Sequence, residues 1–346
     1  MQRLETNSNE QLDITKSYNN IDNFNATAEF ESSNMSPLIN YIENGMHDPF
    51  FSRISSKLNI QSKGRLAQTC RFFHGALKDE LHLSAVSYLL KNVARGEQDI
   101  AETICCRSSA LLLAKGKLID YSGRVFNNIT AFQYALWALD RHMWRMILKY
   151  LPRSEALKQF NELKSYSTEH GKHFDFLPLI TALTCYIDNY LLMSIDLATE
   201  IWCKYVGREQ RDVPAHVAQF FCSPNFSKYL KGKLQEDTFQ RTLVIYDWSA
   251  RYYRLWFPLS DDNRLGHDYA IVRGRSDSAR YMTLPSARHN GRQLHKCNAA
   301  DDLSALLFLG DTTNTELVDL SQQLATQTVD DFKSDENISN YQCHIS

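Results

Sequence analysis

The stretch Phe50–Leu77, FFSRISSKLNIQSKGRLAQTCRFFHGAL, decides how the rest of the chain is read. Phe51, Ile54 and Leu58 recur at spacings of three and four, which places them on one helical face. Asn59 to Lys63 is polar, loses the period and reads as a turn. Leu66, Cys70, Phe73 and Leu77 then recur at four, three and four, a second short helix. Asp48 suits the cap of the first helix and Pro49 its first turn, where a missing N–H costs nothing. Stripes this short bury only against each other together with a third helix or a partner. Leu81 to Val93 offers that third helix, with Val86, Leu89, Leu90 and Val93 on one face, and Arg95-Gly96 ends it.

Outside this stretch, 346 residues are enough for two or three modest domains, and a hydrophobic content of 43% supports a sizeable core. A formal net charge of −2 with no basic stripe argues against a nucleic-acid partner. The longest apolar runs are interrupted by Asp188, Asn189 and Asp196, so none reaches the length of a membrane span. The first residues carry no basic region followed by an apolar one, the pattern of a secretory signal peptide. Eight cysteines include no C-x-x-C pair, and most sit in apolar helical runs. They read as reduced thiols rather than a disulfide framework.

Residues 1–36 hold too few apolar side chains to offset the entropy of ordering and read as disordered. After the helical unit of residues 37–95, a second helical region spans 96–205. There, Asp120, Ser122 and Gly123 form a turn, and Thr130 caps an apolar helix carrying Phe132, Ala135, Leu136 and Leu139. Asp140-Arg141 interrupts the run, Met143, Ile147 and Tyr150 continue it, and Pro152 stops it. Leu177 to Tyr205 reads as two further helices, with Gly207 as a boundary. Residues 206–325 form a small α+β domain, with strand signatures at Thr242–Asp247, Tyr252–Phe257, Tyr269–Arg273 and Tyr281–Leu284 and helices at Leu303–Leu309 and Leu317–Leu324. Residues 326–346 are polar and acidic and read as a flexible tail.

Residues 37–95 resemble an F-box, the three-helix unit that docks onto the Skp adaptor of cullin-based ubiquitin ligases. Ile54, Leu58, Leu66 and Cys70 match that family's aliphatic positions and its Cys, and Phe73 its aromatic slot. The resemblance implies a partner face made of Phe51, Ile54, Leu58, Leu66, Cys70 and Phe73. Asp120, Gly123, Thr130, Ala131, Phe132, Ala135, Ile147 and Leu148 fall in the order of an ankyrin-type turn and helix pair. Over residues 96–275, this unit together with Val206, Gly207, Gln210, Arg211, Pro214, His216, Val217, Trp256-Phe257 and Arg273-Gly274 is similar to effectors that intracellular bacterial pathogens deliver into the host cytosol by type IV secretion. Such effectors often carry a flexible acidic C-terminal signal, which the tail resembles.

Candidate chemistry is sparse. His170 and His173 are spaced for metal on a helix, but Gly171 argues for a loop and no further ligand lies at finger spacing. Asp212, His216 and Cys222 can be written as a Cys–His–Asp set, which requires a thiolate beside a base that a third group orients. A core histidine and a buried thiol account for the same residues more simply. Arg273, Arg275, Arg280, Arg288 and Arg292, with Trp256 and Tyr281 nearby, read as a solvated face before an anion site. Trp137 lies off the Phe132 stripe and is a candidate anchor for a partner. The sequence therefore predicts a mainly α chain of F-box-like and ankyrin-like helices with a small α+β C-terminal domain. It reads as an adaptor that holds the Skp subunit through its N-terminal face and an unknown target through the rest. The alternatives are a helical interaction effector without the ligase and a cysteine enzyme. No cofactor or metal is expected.

Overall fold

The computed structural model describes residues 55–69, 71–222, 241–247, 252–255 and 291–342. The first helix described in full, α1 (Ile60–Ala67), begins where Asn59 accepts a hydrogen bond from the Ser62 N–H at 2.8 Å. Asn59 is therefore a cap rather than part of a turn, and the residues read as a linker form the helix itself. A short break at Gln68-Thr69 separates α1 from α2 (Arg71–Ala94), so Leu66 and Phe73 lie on different helices. The helix predicted to begin at Leu81 is the second half of α2. Gly75 does not break α2: it is exposed, and a Cβ there would meet nothing, so its only cost is about 1 kcal/mol of helix propensity. Gly96 does end α2. It adopts φ +69°, and the Gly96 and Glu97 N–H groups bond back to the Val93 and Asn92 carbonyls at 3.1 and 2.9 Å.

Helix α3 (Gln98–Arg107) and a 3₁₀ turn (Ser109–Leu113) lead into an antiparallel hairpin, β1 (Gly116–Ile119) and β2 (Val125–Ile129). Asp120 closes the hairpin. One of its carboxylate oxygens accepts from the Ser122 and Arg124 N–H groups at 3.0 and 2.9 Å and from the Ser122 hydroxyl at 2.7 Å. Helix α4 (Ala131–Trp137) starts on a reciprocal cap between Thr130 and Gln133. Leu139, in the left-handed region at φ 60°, turns the chain, and Asp140 caps α5 (Arg141–Leu148) by accepting from the Met143 N–H at 3.1 Å.

Helix α6 (Arg153–Tyr166) follows Pro152. Then come α7 (Leu177–Asn189), α8 (Ile195–Ile201), a π turn (Trp202–Val206) and α9 (Gly207–Gln210). Gly207 continues this run instead of ending it: it is buried, and its backbone is helical at φ −61° and ψ −32°. Helix α10 (Ala215–Cys222), the hairpin β3 (Val244–Asp247) and β4 (Tyr252–Leu255), and the long α11 (Gly291–Gln342) complete the described chain. The predicted strands at 269–273 and 281–284 lie outside the described residues. The backbone of α11 continues through much of the segment read as a tail, since no proline follows Pro285 to interrupt it.

The fold is mainly helical with small two-stranded sheets. One continuous core runs from Ala85 on α2 to Leu324 on α11. Helix α11 lies on α6 and α7 and is tied to α5 by an Arg141–Glu316 ion pair at 3.0 Å. A separate apolar cluster of Ala67, Leu77 and Leu81 joins α1 to the first half of α2. Burying two leucines and an alanine yields roughly 5 kcal/mol. That is small against the entropy of ordering two helices, so this pair depends on α2 running unbroken into the main core. Among the described residues no helix is long and apolar enough to cross a membrane.

Candidate functional site

The α1–α2 pair carries the face to which the sequence assigns a partner. Leu58, Leu66 and Phe73 are each half-buried, and Leu66 and Phe73 pack with Ile60 against the separate cluster. Lys63 fixes the pair internally: its ammonium is buried on α1 and forms an ion pair with Glu80 of α2. The Ser55 hydroxyl lies 3.5 Å from the other oxygen of the same carboxylate. Phe51, Ile54 and Cys70 lie outside the described residues. Among the described residues the arrangement is a partly open aliphatic and aromatic ridge held by that ion pair.

A second polar concentration lies deep in the molecule. The Arg241 guanidinium is 2.7 Å from Asp140, donates to Gln98 at 2.9 Å and donates to Gln219 at 3.1 Å. Gln219 in turn donates to the Arg95 and Gly96 carbonyls at 3.3 and 3.2 Å. Burial is the largest influence on the Asp140 carboxyl and pushes it up, yet it is held at about 2, because the charge of Arg241, the neighbouring His216 and the hydrogen bonds from Arg241 and the Met143 N–H together outweigh the loss of water. This network joins the end of α2, the start of α5, α10 and the strand-side segment at 241. No sequence pattern announces it, since Asp140 and Arg241 stand 101 positions apart.

His216 on α10 faces the same region. Burial pushes its imidazole down to about 4, Asp140 opposes that shift, and Arg241 and His142 add to it. Neither ring nitrogen has a hydrogen-bond partner. The adjoining cavity of about 30 Å³, lined by His216, Asp140, Phe220 and Thr313, has space for a water or two and none for a substrate. Cys222 is six residues further along the same helix, roughly 9 Å along its axis and on a different face. Asp212 accepts from the Arg211 side chain at 3.2 Å, and its carbonyl accepts from Arg124. Asp212, His216 and Cys222 are therefore not brought together into a base–nucleophile arrangement.

Trp137 is a core residue and no surface anchor. It is 1% exposed, stacks edge-on with Phe126 and Phe174, lies under the Arg124 guanidinium, and donates from Nε1 to the His170 carbonyl at 3.2 Å. The β1–β2 hairpin and the 170–176 segment cover the face of α4 that periodicity alone would leave open. One ring nitrogen of His170 lies 3.0 Å from the Val125 carbonyl, and one of His173 lies 3.0 Å from the Phe174 carbonyl. The two histidines are thus fixed on separate backbone groups. Burial pushes the Cys105 thiol up to about 12, far from a nucleophile's range. The arginines at 273, 275, 280 and 288 lie outside the described residues.

These observations define a mainly helical protein with a partly open N-terminal ridge and a buried polar clasp. It is similar to the uncharacterized protein CBUA0006 of Coxiella burnetii (strain RSA 493 / Nine Mile phase I), at 31% identity over 276 residues, which are 72% of this chain and 77% of that protein. The chain belongs to the CBUA0006 family. Residues 178–324 match the family's C-terminal domain, a span from α7 into α11 that includes the position, 205–206, at which the sequence placed a boundary. No solved structure matches the chain.

Proposed function

We propose that this protein is an F-box-like adaptor, which holds the Skp subunit of a cullin-based ubiquitin ligase through the α1–α2 ridge and presents a target on its helical body. The observation that carries the reading is the ridge itself. Its apolar cluster shares no residue with the main core, Leu66 and Phe73 pack half-open against it, and Leu58 is half-buried, all three at positions where the F-box resemblance puts partner contacts. The β1–β2 turn followed by the short helices α4 and α5 has the element order of an ankyrin-type unit, which supports the reading of the body as a binding surface. The mechanism is proximity: ubiquitin transfer belongs to other subunits, and the adaptor raises the target's effective concentration beside them.

A pull-down with the Skp adaptor tests this. Wild type should recover it, and the Leu58→Ala, Leu66→Ala double variant should not. Equal recovery removes this face, and no recovery by either leaves a helical interaction protein independent of the ligase. The effector resemblance over residues 96–275 implies action in a host cytosol after type IV secretion. Deleting residues 327–346 should then abolish delivery in a translocation reporter assay, and undiminished delivery would place the signal elsewhere.

A further inference from the structure

A groove of about 620 Å³ opens between the end of β2, the start of α4 and the last turn of α6. Its floor is polar and fixed. Glu162 accepts from the Lys115 ammonium at 2.7 Å and from the Gln133 amide at 3.2 Å, in both cases through the same carboxylate oxygen. Glu169 accepts from the Asn127 backbone N–H at 3.0 Å and from its side-chain amide at 3.1 Å, again through a single oxygen. Both carboxylate side chains line the groove. Tyr166 stands on the rim at 83% exposure, and Ser167 beside it has a positive φ of 54°. The open ring is a face on which a planar cation can stack.

We infer that this groove takes an extended polypeptide segment of a partner protein that carries an arginine, with the guanidinium reading Glu169 and Glu162 and stacking on Tyr166. Charge complementarity selects that occupant. The groove's charged groups are one ammonium and two carboxylates, so a cation balances it and an anion does not. A guanidinium offers a planar fork for carboxylate oxygens and a face for the tyrosine ring, whereas an ammonium offers neither. Both carboxyls sit below their ordinary range, Glu162 chiefly through its bond from Lys115 and Glu169 through backbone N–H groups, so both are ionised at neutral pH. The volume accommodates a few residues of chain. The inference rests on the adaptor reading for its purpose, since an adaptor needs a face for its target. Its chemistry stands apart from the ridge and is tested without the ligase.

The test is fluorescence anisotropy of the full chain with a labelled peptide of glycine and serine around one central arginine, beside matched peptides with lysine or glutamate in its place. The arginine peptide should bind best, lysine less well and glutamate not at all, with the arginine signal weakened in high salt. Glu169→Gln keeps an oxygen for both Asn127 donors but removes the charge, and should weaken the arginine peptide about fivefold. Tyr166→Ser, at a position with no packing to lose, should weaken it by a similar factor. Equal binding of arginine and glutamate peptides, no binding of any, or indifference to both substitutions overturns the inference. Loss of Skp binding in the ridge variant leaves these peptide results unchanged.

Discussion

Acid should destabilise this protein through His216, and the size of the effect follows from its burial. In the unfolded chain the imidazole takes up its proton near the ordinary value of 6.5, and in the folded protein only near about 4. Between those values the unfolded state binds more protons, so stability falls as the pH falls. The contribution is fully present above about 6.5, decreases through the window, and is lower by about 3 kcal/mol once the pH reaches about 4. Asp140 acts in a lower window. Its folded value of about 2 lies below the ordinary 3.8, so its contribution persists above 3.8 and is lost as the pH falls toward 2. Glu97 and Glu316, both raised chiefly by burial, act with the opposite sign, because the folded state holds their protons more tightly. Comparison with His216→Leu separates these effects, since every other group is shared. Urea denaturation between pH 4.5 and 7.5 should give wild type a slope steeper than the variant's, the two diverging by about 2–3 kcal/mol across the window. Parallel slopes would refute a sealed, neutral His216.

The buried clasp makes further predictions. Arg241→Ala leaves the Asp140 carboxylate buried without its cation and should cost about 3–5 kcal/mol by urea denaturation, with newly exposed amides near Gly96 and Gln219 in hydrogen exchange. A cost below about 1 kcal/mol would mean that the pair is loosely held in solution. Gly96→Ala meets both a left-handed backbone and a crowd: its Cβ would fall 2.5 Å from Gln219 and 2.9 Å from Arg241. It should lower stability by about 2 kcal/mol or more, whereas Gly75→Ala, on the open face of α2, should raise it by up to about 1 kcal/mol.

How much of this was legible in the sequence depends on how local each signal is. Thr130 before an apolar run is read from a few neighbours and marks a true helix start, whereas Pro152, which reads as a stop, stands at the start of α6, α5 having ended at Leu148. Asn59 and Asp140 carry local signals too, yet both read as breaks, because a capping side chain looks like an interruption of apolar period. Strands β1 and β2 are four and five residues long and include Asn127 and Asn128, too short and too polar to show alternation. Helix α6 fully buries only Ala156 and Gln159, and its stripe of Leu157, Phe160 and Leu163 packs half-buried against the core among many charged residues. Trp137 looked exposed because periodicity sees one helix at a time, whereas the hairpin covering it is tertiary. The Arg241 clasp and the groove beside Tyr166 gather residues from distant positions, and no window of sequence contains them. For the ridge, Leu58, Leu66 and Phe73 were legible as apolar positions, but the break that puts Leu66 and Phe73 on different helices was not.

The most direct test of the adaptor reading is a calorimetric titration of the purified full chain with purified Skp adaptor. The account predicts saturable binding at one to one, with a negative heat-capacity change from burial of the α1–α2 ridge. The Leu58→Ala, Leu66→Ala variant, still folded by its urea transition, should bind at least tenfold more weakly. Absence of binding by the wild-type chain, or equal affinity for wild type and variant, would contradict it.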